Sequence, residues 1–109
     1  MLYTKYVDTV EENTKIKISI FFEKNTMIWA TGRATNKGYH VSVTPVTIEI
    51  QGGYKIESFK AFSGFRTCLF PAERQSKKRL EEAIKIVDEN TNKYVSHFAM
   101  DIKLKKEEL

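Results

Sequence analysis

A chain of 109 residues, 41% of them hydrophobic and 29% charged, carries one ordinary core and leaves no room for a large internal active site. Its net charge of +4 suits an acidic partner, nucleic acid above all, without requiring one. The single cysteine excludes an internal disulfide and any multi-cysteine zinc site.

No apolar h-region opens the chain and no run of about 18 apolar residues occurs, so the expectation is one cytoplasmic domain over residues 1–109 with no membrane partner. At the N-terminus, Tyr3, Tyr6, Val7 and Val10 follow the i, i+3, i+4, i+7 spacing of an amphipathic helix that Asn13 would end. The tyrosines and threonines of the same segment also suit a strand. Next, Ile16, Ile18, Ile20 and Phe22 alternate with Lys15, Lys17, Ser19 and Phe21, which predicts a half-buried strand. A turn over Glu23–Thr26 then leads into a returning strand over Met27–Thr35, where Gly32 marks a bulge or a close approach. Asn36, Lys37 and Gly38 form the next turn.

The following hairpin changes phase. Tyr39, Val41 and Val43 are apolar at odd positions, whereas Val46, Ile48 and Ile50 are apolar at even ones. Beyond Gln51-Gly52-Gly53 the order reverses, with Tyr54 and Ile56 followed by Phe59 and Ala61. A three-residue loop sets Ile50 opposite Tyr54, Ile48 opposite Ile56 and Val43 opposite Ala61, and so places both phase changes at one height. The hairpin would then bury one face near its base and the other near its tip. The competing reading is a bulge at Pro45 with a separate irregularity near Ser58.

Ser63-Gly64 ends that strand, and a loop runs to Phe70. Pro71 suits the first turn of a helix, Glu73 favours the positive end of its dipole, and Ser76, Leu80, Ala83, Ile84 and Val87 make an inward stripe. A helix over Pro71–Asn90 is predicted. A start at Ser76 would put Lys77, Lys78 and Arg79 in the first turn, each opposed by the dipole by about 0.3–1 kcal/mol. In the tail, Phe98, Met100, Ile102 and Leu104 alternate as a fifth strand, although Tyr94, Val95, Phe98 and Ile102 also share a helical face.

Catalytic patterns are missing. His40 and His97 are far apart, read as surface residues, and have no ligand spacing with each other or with Cys68. Cys68 reads as a small buried hydrophobe. No glycine pattern fits a phosphate-cradling loop. The adjacent carboxylates Glu81-Glu82 point about 100° apart on a helix, which excludes a shared-proton dyad. The expectation is therefore a protein that is not an enzyme, with no catalytic residue, no metal and no cofactor.

Arg66, Arg74, Lys77, Lys78 and Arg79 remain as the candidate nucleic-acid-binding residues. Glu81 with Lys85 and Lys78 with Glu82 make i, i+4 pairs, which leaves Arg74, Lys77 and Arg79 as the least compensated cations. With Arg66 in the preceding loop they would form a basic patch beside a helix N-terminus. Trp29, Tyr39, Tyr54, Phe59, Phe62, Phe65 and Phe70 exceed what one small core needs, and exposed members would offer stacking platforms.

The segments KGYHVSVTPV, AFSGF and RQSKKRLEEA, over Lys37 to Ala83, resemble small proteins encoded in phages and conjugative elements of low-GC Gram-positive bacteria. The resemblance implies an accessory role in a mobile element and carries no catalytic residue over. The fold expected is α+β, a twisted, mostly antiparallel sheet of four to five strands with one main helix packed on one face. The partner expected is DNA or RNA. The alternative is a protein partner met by apolar surface on the hairpin Val41–Phe59, with a homodimer through that hairpin as one form of it.

Overall fold

The computed structural model describes residues 2–28, 30, 32, 34–59 and 64–98. The elements in chain order are β1 (Tyr3–Asp8), β2 (Thr14–Glu23), β3 (Met27–Ile28), β4 (Ala34–Thr35), β5 (Gly38–Gln51), β6 (Tyr54–Phe59), β7 (Phe65–Pro71), α1 (Lys77–Glu89) and α2 (Thr91–Ser96). The main sheet is ordered β1-β2-β5-β6, and β7 also pairs with β5. Every described pairing is antiparallel. Since β2 occupies one flank of β5, β6 and β7 share the other in series, β6 along residues 46–51 and β7 along 38–43. The expected α+β architecture holds.

The alternation in β2 builds the core. Ile16, Ile18 and Ile20 are wholly buried, and Ile18 and Ile20 stand directly opposite Val43 and Val41. Ala83 and Val87 from α1, with Tyr94 and Val95 from α2 and Phe98 just beyond it, cover this face. The other face of the sheet carries neither helix.

The first segment is a strand, not a helix. Tyr3, Lys5 and Val7 face Ile20, Ile18 and Ile16 across the β1–β2 ladder. Pairing to a buried strand outweighs a weak local helical period here. Lys5 gains a specific use, because its ammonium reaches Asp88 at 3.2 Å and Thr91 at 2.9 Å near the C-terminal end of α1. A cation there complements the helix dipole, and α1 has no basic residue in its own last turn.

The predicted returning strand also differs. Among the described residues β3 and β4 pair with each other, and β2 lies between β1 and β5. Trp29 lies outside the described residues.

The hairpin register is shifted by one. Gln51 faces Tyr54, Ile50 faces Lys55 and Ile48 faces Glu57, around the two residues Gly52 and Gly53. Both glycines have positive φ, 58° and 82°, as the tight two-residue hairpin turn demands. Along β5 the apolar side chains do change sides, and no bulge at Pro45 produces it: the β2–β5 ladder runs unbroken through Ile16–Pro45. In β6, however, the shift puts Tyr54 and Ile56 on the face opposite to Ile48 and Ile50, so the hairpin does not bury one common face near its tip. Thr44 and Pro45 fall between the stretches of β5 taken by β6 and β7, so the residue with no N–H sits where that flank has no described partner. Val43 pairs with Phe65 in place of Ala61, which lies outside the described residues.

The helix begins at Lys77 and not near Pro71. Pro71 ends β7 opposite Gly38, and Ala72 turns the chain at φ 63°. Gly38 allows this approach, since a Cβ there would lie 2.2 Å from the Phe70 carbonyl oxygen. Ser76 is the N-cap, and its hydroxyl accepts from the Arg79 N–H at 3.1 Å. The deciding contact comes from the sheet. The fully buried Tyr39 places its hydroxyl against Ser76, accepting from the backbone N–H at 3.0 Å and donating to the carbonyl at 2.9 Å. After α1, residues 91–96 form α2, and Tyr94, Val95 and Phe98 supply the helical face into the core. The expected fifth strand from Phe98 onward lies almost wholly outside the described residues.

Tyr39→Phe removes both hydrogen bonds without emptying the core. It is expected to lower stability by about 1–3 kcal/mol in urea titration, with the m-value unchanged.

Candidate functional site

The five cations singled out by sequence do not form one patch. Arg66 lies within β7, opposite Ser42, on the face turned away from the helices. Arg74, Lys77 and Lys78 lie around the start of α1, on the helix side, where Tyr39 anchors Ser76. The sheet therefore separates Arg66 from the others. Arg79, expected to be poorly compensated, is the best-matched cation of the group. It bonds Glu82 at 2.6 Å and both oxygens of Glu73 at 3.1 and 3.3 Å, and its guanidinium lies 4.8 Å from the Phe70 ring centre. These hydrogen bonds, with Glu82 foremost, hold its pKa above the ordinary guanidinium value. Glu73 precedes the helix and so brings negative charge to a first turn that holds no acidic residue. Arg74, Lys77 and Lys78 are exposed and join no ion pair among the described residues.

The helix-free face gathers a different group. Register aligns Lys17 with Thr44, Ser19 with Ser42, Phe21 with His40, Ser42 with Arg66, and Val46 with Phe59. Lys17, Ser19, Phe21, Ser42, Thr44, Phe59 and Arg66 line a trough of about 330 Å³. The Arg66 guanidinium lies 4.0 Å from the Phe21 ring centre. Phe21 also stacks with His40, the centroids 5.9 Å apart. Arg66 reaches Glu23 only at 4.0 Å, and its side chain stays 47% exposed. Phe59, 61% exposed, forms the opposite wall.

Lys17 gives the trough a fixed charge. Its ammonium sits 3.2 Å from both Glu57 oxygens, 5.4 Å from the Phe59 ring centre and 5.9 Å from that of Tyr6. Tyr6 donates to the same carboxylate at 3.3 Å. The side chain of Lys17 is only 11% exposed, so the pair is mostly removed from water.

Sequence reasoning placed Lys17, Ser19 and Phe21 on the outward side of β2 but missed them as a site. The signal was Phe21, an aromatic among polar positions. His40, read as a surface residue, is buried at 5% exposure, with Nε2 donating to the Asn36 carbonyl at 2.7 Å. It stands opposite Cys68 across the β5–β7 ladder, a juxtaposition that spacing along the chain cannot reveal. Burial pushes the Cys68 thiol above its ordinary pKa, the opposite of what an activated nucleophile needs.

Of the surplus aromatics, Tyr39 is core, Phe65 and Phe70 pack against it, and Tyr54 and Phe59 are exposed. Phe62 lies outside the described residues. Val41 and Val43, expected on an apolar docking surface, are fully buried, and the exposed apolar residues of the hairpin are Ile50, Tyr54, Ile56 and Phe59. Among the described residues no group of three or more His, Cys, Asp or Glu side chains is arranged to hold a metal ion. No described helix is long and apolar enough to cross a membrane. In comparisons with known proteins, no family model, curated protein or solved structure matches the chain.

Glu57→Gln strands the Lys17 ammonium in its apolar surroundings and is expected to cost about 1–3 kcal/mol in thermal or urea unfolding. The double variant Lys17→Met/Glu57→Gln is expected to recover most of that loss, because removing both charges abolishes the penalty of an uncompensated one.

Proposed function

We propose that this chain is a small non-enzymatic module of a mobile element that binds single-stranded nucleic acid on the helix-free face of its sheet. The observation that carries the reading is the Arg66 guanidinium lying 4.0 Å over the Phe21 ring in a trough that the exposed Phe59 also lines. A guanidinium plane on an aromatic ring presents its free side to a base, and an exposed phenylalanine offers a second stacking surface. Ser19, Ser42 and Thr44 line the trough between them with hydroxyls that donate or accept. A flexible single strand suits a shallow trough on a sheet. Neither described helix stands on this face to enter the major groove of a duplex. The cations Arg74, Lys77 and Lys78 lie on the other side, where they add long-range attraction and no direct contact with this trough.

Fluorescence anisotropy with single-stranded DNA, single-stranded RNA and duplex DNA at two salt concentrations tests the reading. Single strands are expected to bind more tightly than the duplex. Phe59→Ala and Arg66→Ala should each cost about 1–3 kcal/mol of binding, and Arg66→Ala should also lower the salt slope by about 0.7. The pair Lys77→Glu/Lys78→Glu should leave the Phe59 and Arg66 effects in place. Absence of any salt-sensitive binding at micromolar protein would rule the reading out.

A protein partner is the second reading. Its support is Ile50 and Tyr54, 75% and 76% exposed beside the turn of the β5–β6 hairpin. A partner captured by the wild-type chain and by Arg66→Ala, but lost with Tyr54→Asp, would favour it.

A further inference from the structure

The outer edge of β6 points to an association of two copies of this chain. β6 ends the strand order of the sheet, and no described residue pairs with its outer side. It has neither a proline nor a bulge, two devices that commonly protect an exposed edge. We propose that the chain forms a symmetric dimer in which β6 pairs antiparallel with β6 of a second copy, Ile56 lying on the two-fold axis.

Charge selects this occupant and this register. A two-fold axis perpendicular to the sheet sets residues of like parity opposite each other, so that the faces of both copies coincide. With Ile56 opposite Ile56 of the second copy, Lys55 of each chain lies opposite Glu57 of the other. Centring the axis one residue earlier sets Lys55 against Lys55, and one residue later sets Glu57 against Glu57. Like charges directly opposite one another oppose pairing, whereas unlike charges favour it. The segment Tyr54–Phe59 is therefore complementary to itself in one register and repelled in both neighbours.

The side chains are ready for this arrangement. Lys55 is exposed and joins no ion pair among the described residues. Glu57 is drawn inward over β5 by Lys17 and Tyr6, so Lys55 of the second copy would attract it from the outer side as a cross-strand charge. On the opposite side of the strand Ile56, 39% exposed, would meet its own copy, and Tyr54 would lie over Ser58. The proposal stands on the edge strand alone and does not depend on nucleic-acid binding.

Sedimentation equilibrium of the full chain is the first measurement, with a dimer expected in the micromolar range. Lys55→Glu sets carboxylates opposite each other twice per dimer and is expected to weaken association at least about tenfold. Its circular dichroism should match the wild type, since Lys55 is a surface residue. The register is read by cysteine cross-linking in a Cys68→Ser background. Ile56→Cys should oxidise to a disulfide-linked dimer, because residues directly opposite lie within about 4.4–6.8 Å, and Tyr54→Cys should not. A wild-type chain that stays monomeric through the micromolar range overturns the proposal. So does a Lys55→Glu chain that dimerises as tightly as wild type, or a Tyr54→Cys chain that cross-links as readily as Ile56→Cys.

Discussion

The fold depends on one phenol. Tyr39 is buried in the sheet, yet its hydroxyl satisfies both the backbone N–H and the carbonyl of Ser76. A buried hydroxyl without partners would be costly, and so would a helix start with unmet donors. Each group meets the other's need. The contact also decides where α1 begins, and with it which residues fill the first turn. Three basic residues there are unfavourable by local rules, but Glu73 and Glu82 close around Arg79 and offset part of that cost. From this anchored start α1 runs across the sheet to β1, where Tyr3 and Lys5 meet Asp88.

β5 has two working faces. Through Tyr39, Val41 and Val43 it supports the helices, and from Val46 onward its apolar residues turn to the other side. This change of phase was legible from residue types alone, because alternation in a strand maps directly onto the two sides of a sheet. The one-residue error in the hairpin was not avoidable on pattern. Gly52-Gly53 serves a two-residue turn or the core of a three-residue loop equally well, and only the backbone angles separate them. β2 was legible for a simpler reason: its isoleucines repeat every second residue beside lysines and a serine.

The misreadings share a physical origin. Tyr3, Tyr6, Val7 and Val10 matched a helical period because Tyr6 faces outward in β1 and Val10 lies beyond the strand. Pro71 and Glu73 are good helix-start residues, but Tyr39, thirty-seven positions before Ser76, chooses the start. Arg79 seemed unpaired because Glu82, three residues on, was assigned to Lys78, and because its second partner, Glu73, lies six residues back, outside helical spacing. Arg66 was assigned to the wrong side because the segment around it was read as a loop and not as β7. In each case the deciding contact crosses the sheet or joins residues that lie outside local periodicity. The candidate site was accordingly legible in composition, as cations and aromatics in excess, and illegible in placement.

The two-sidedness of β5 has an evolutionary corollary. The portion that carries Phe59 and the hairpin turn contributes none of the side chains packed between sheet and helices. Apart from Glu57, which neutralises Lys17, and the two glycines of the turn, its residues are therefore under little pressure from folding and can drift toward whatever surface they meet. Selection can retune the outer half of this strand pair while the inner half goes on specifying the same architecture.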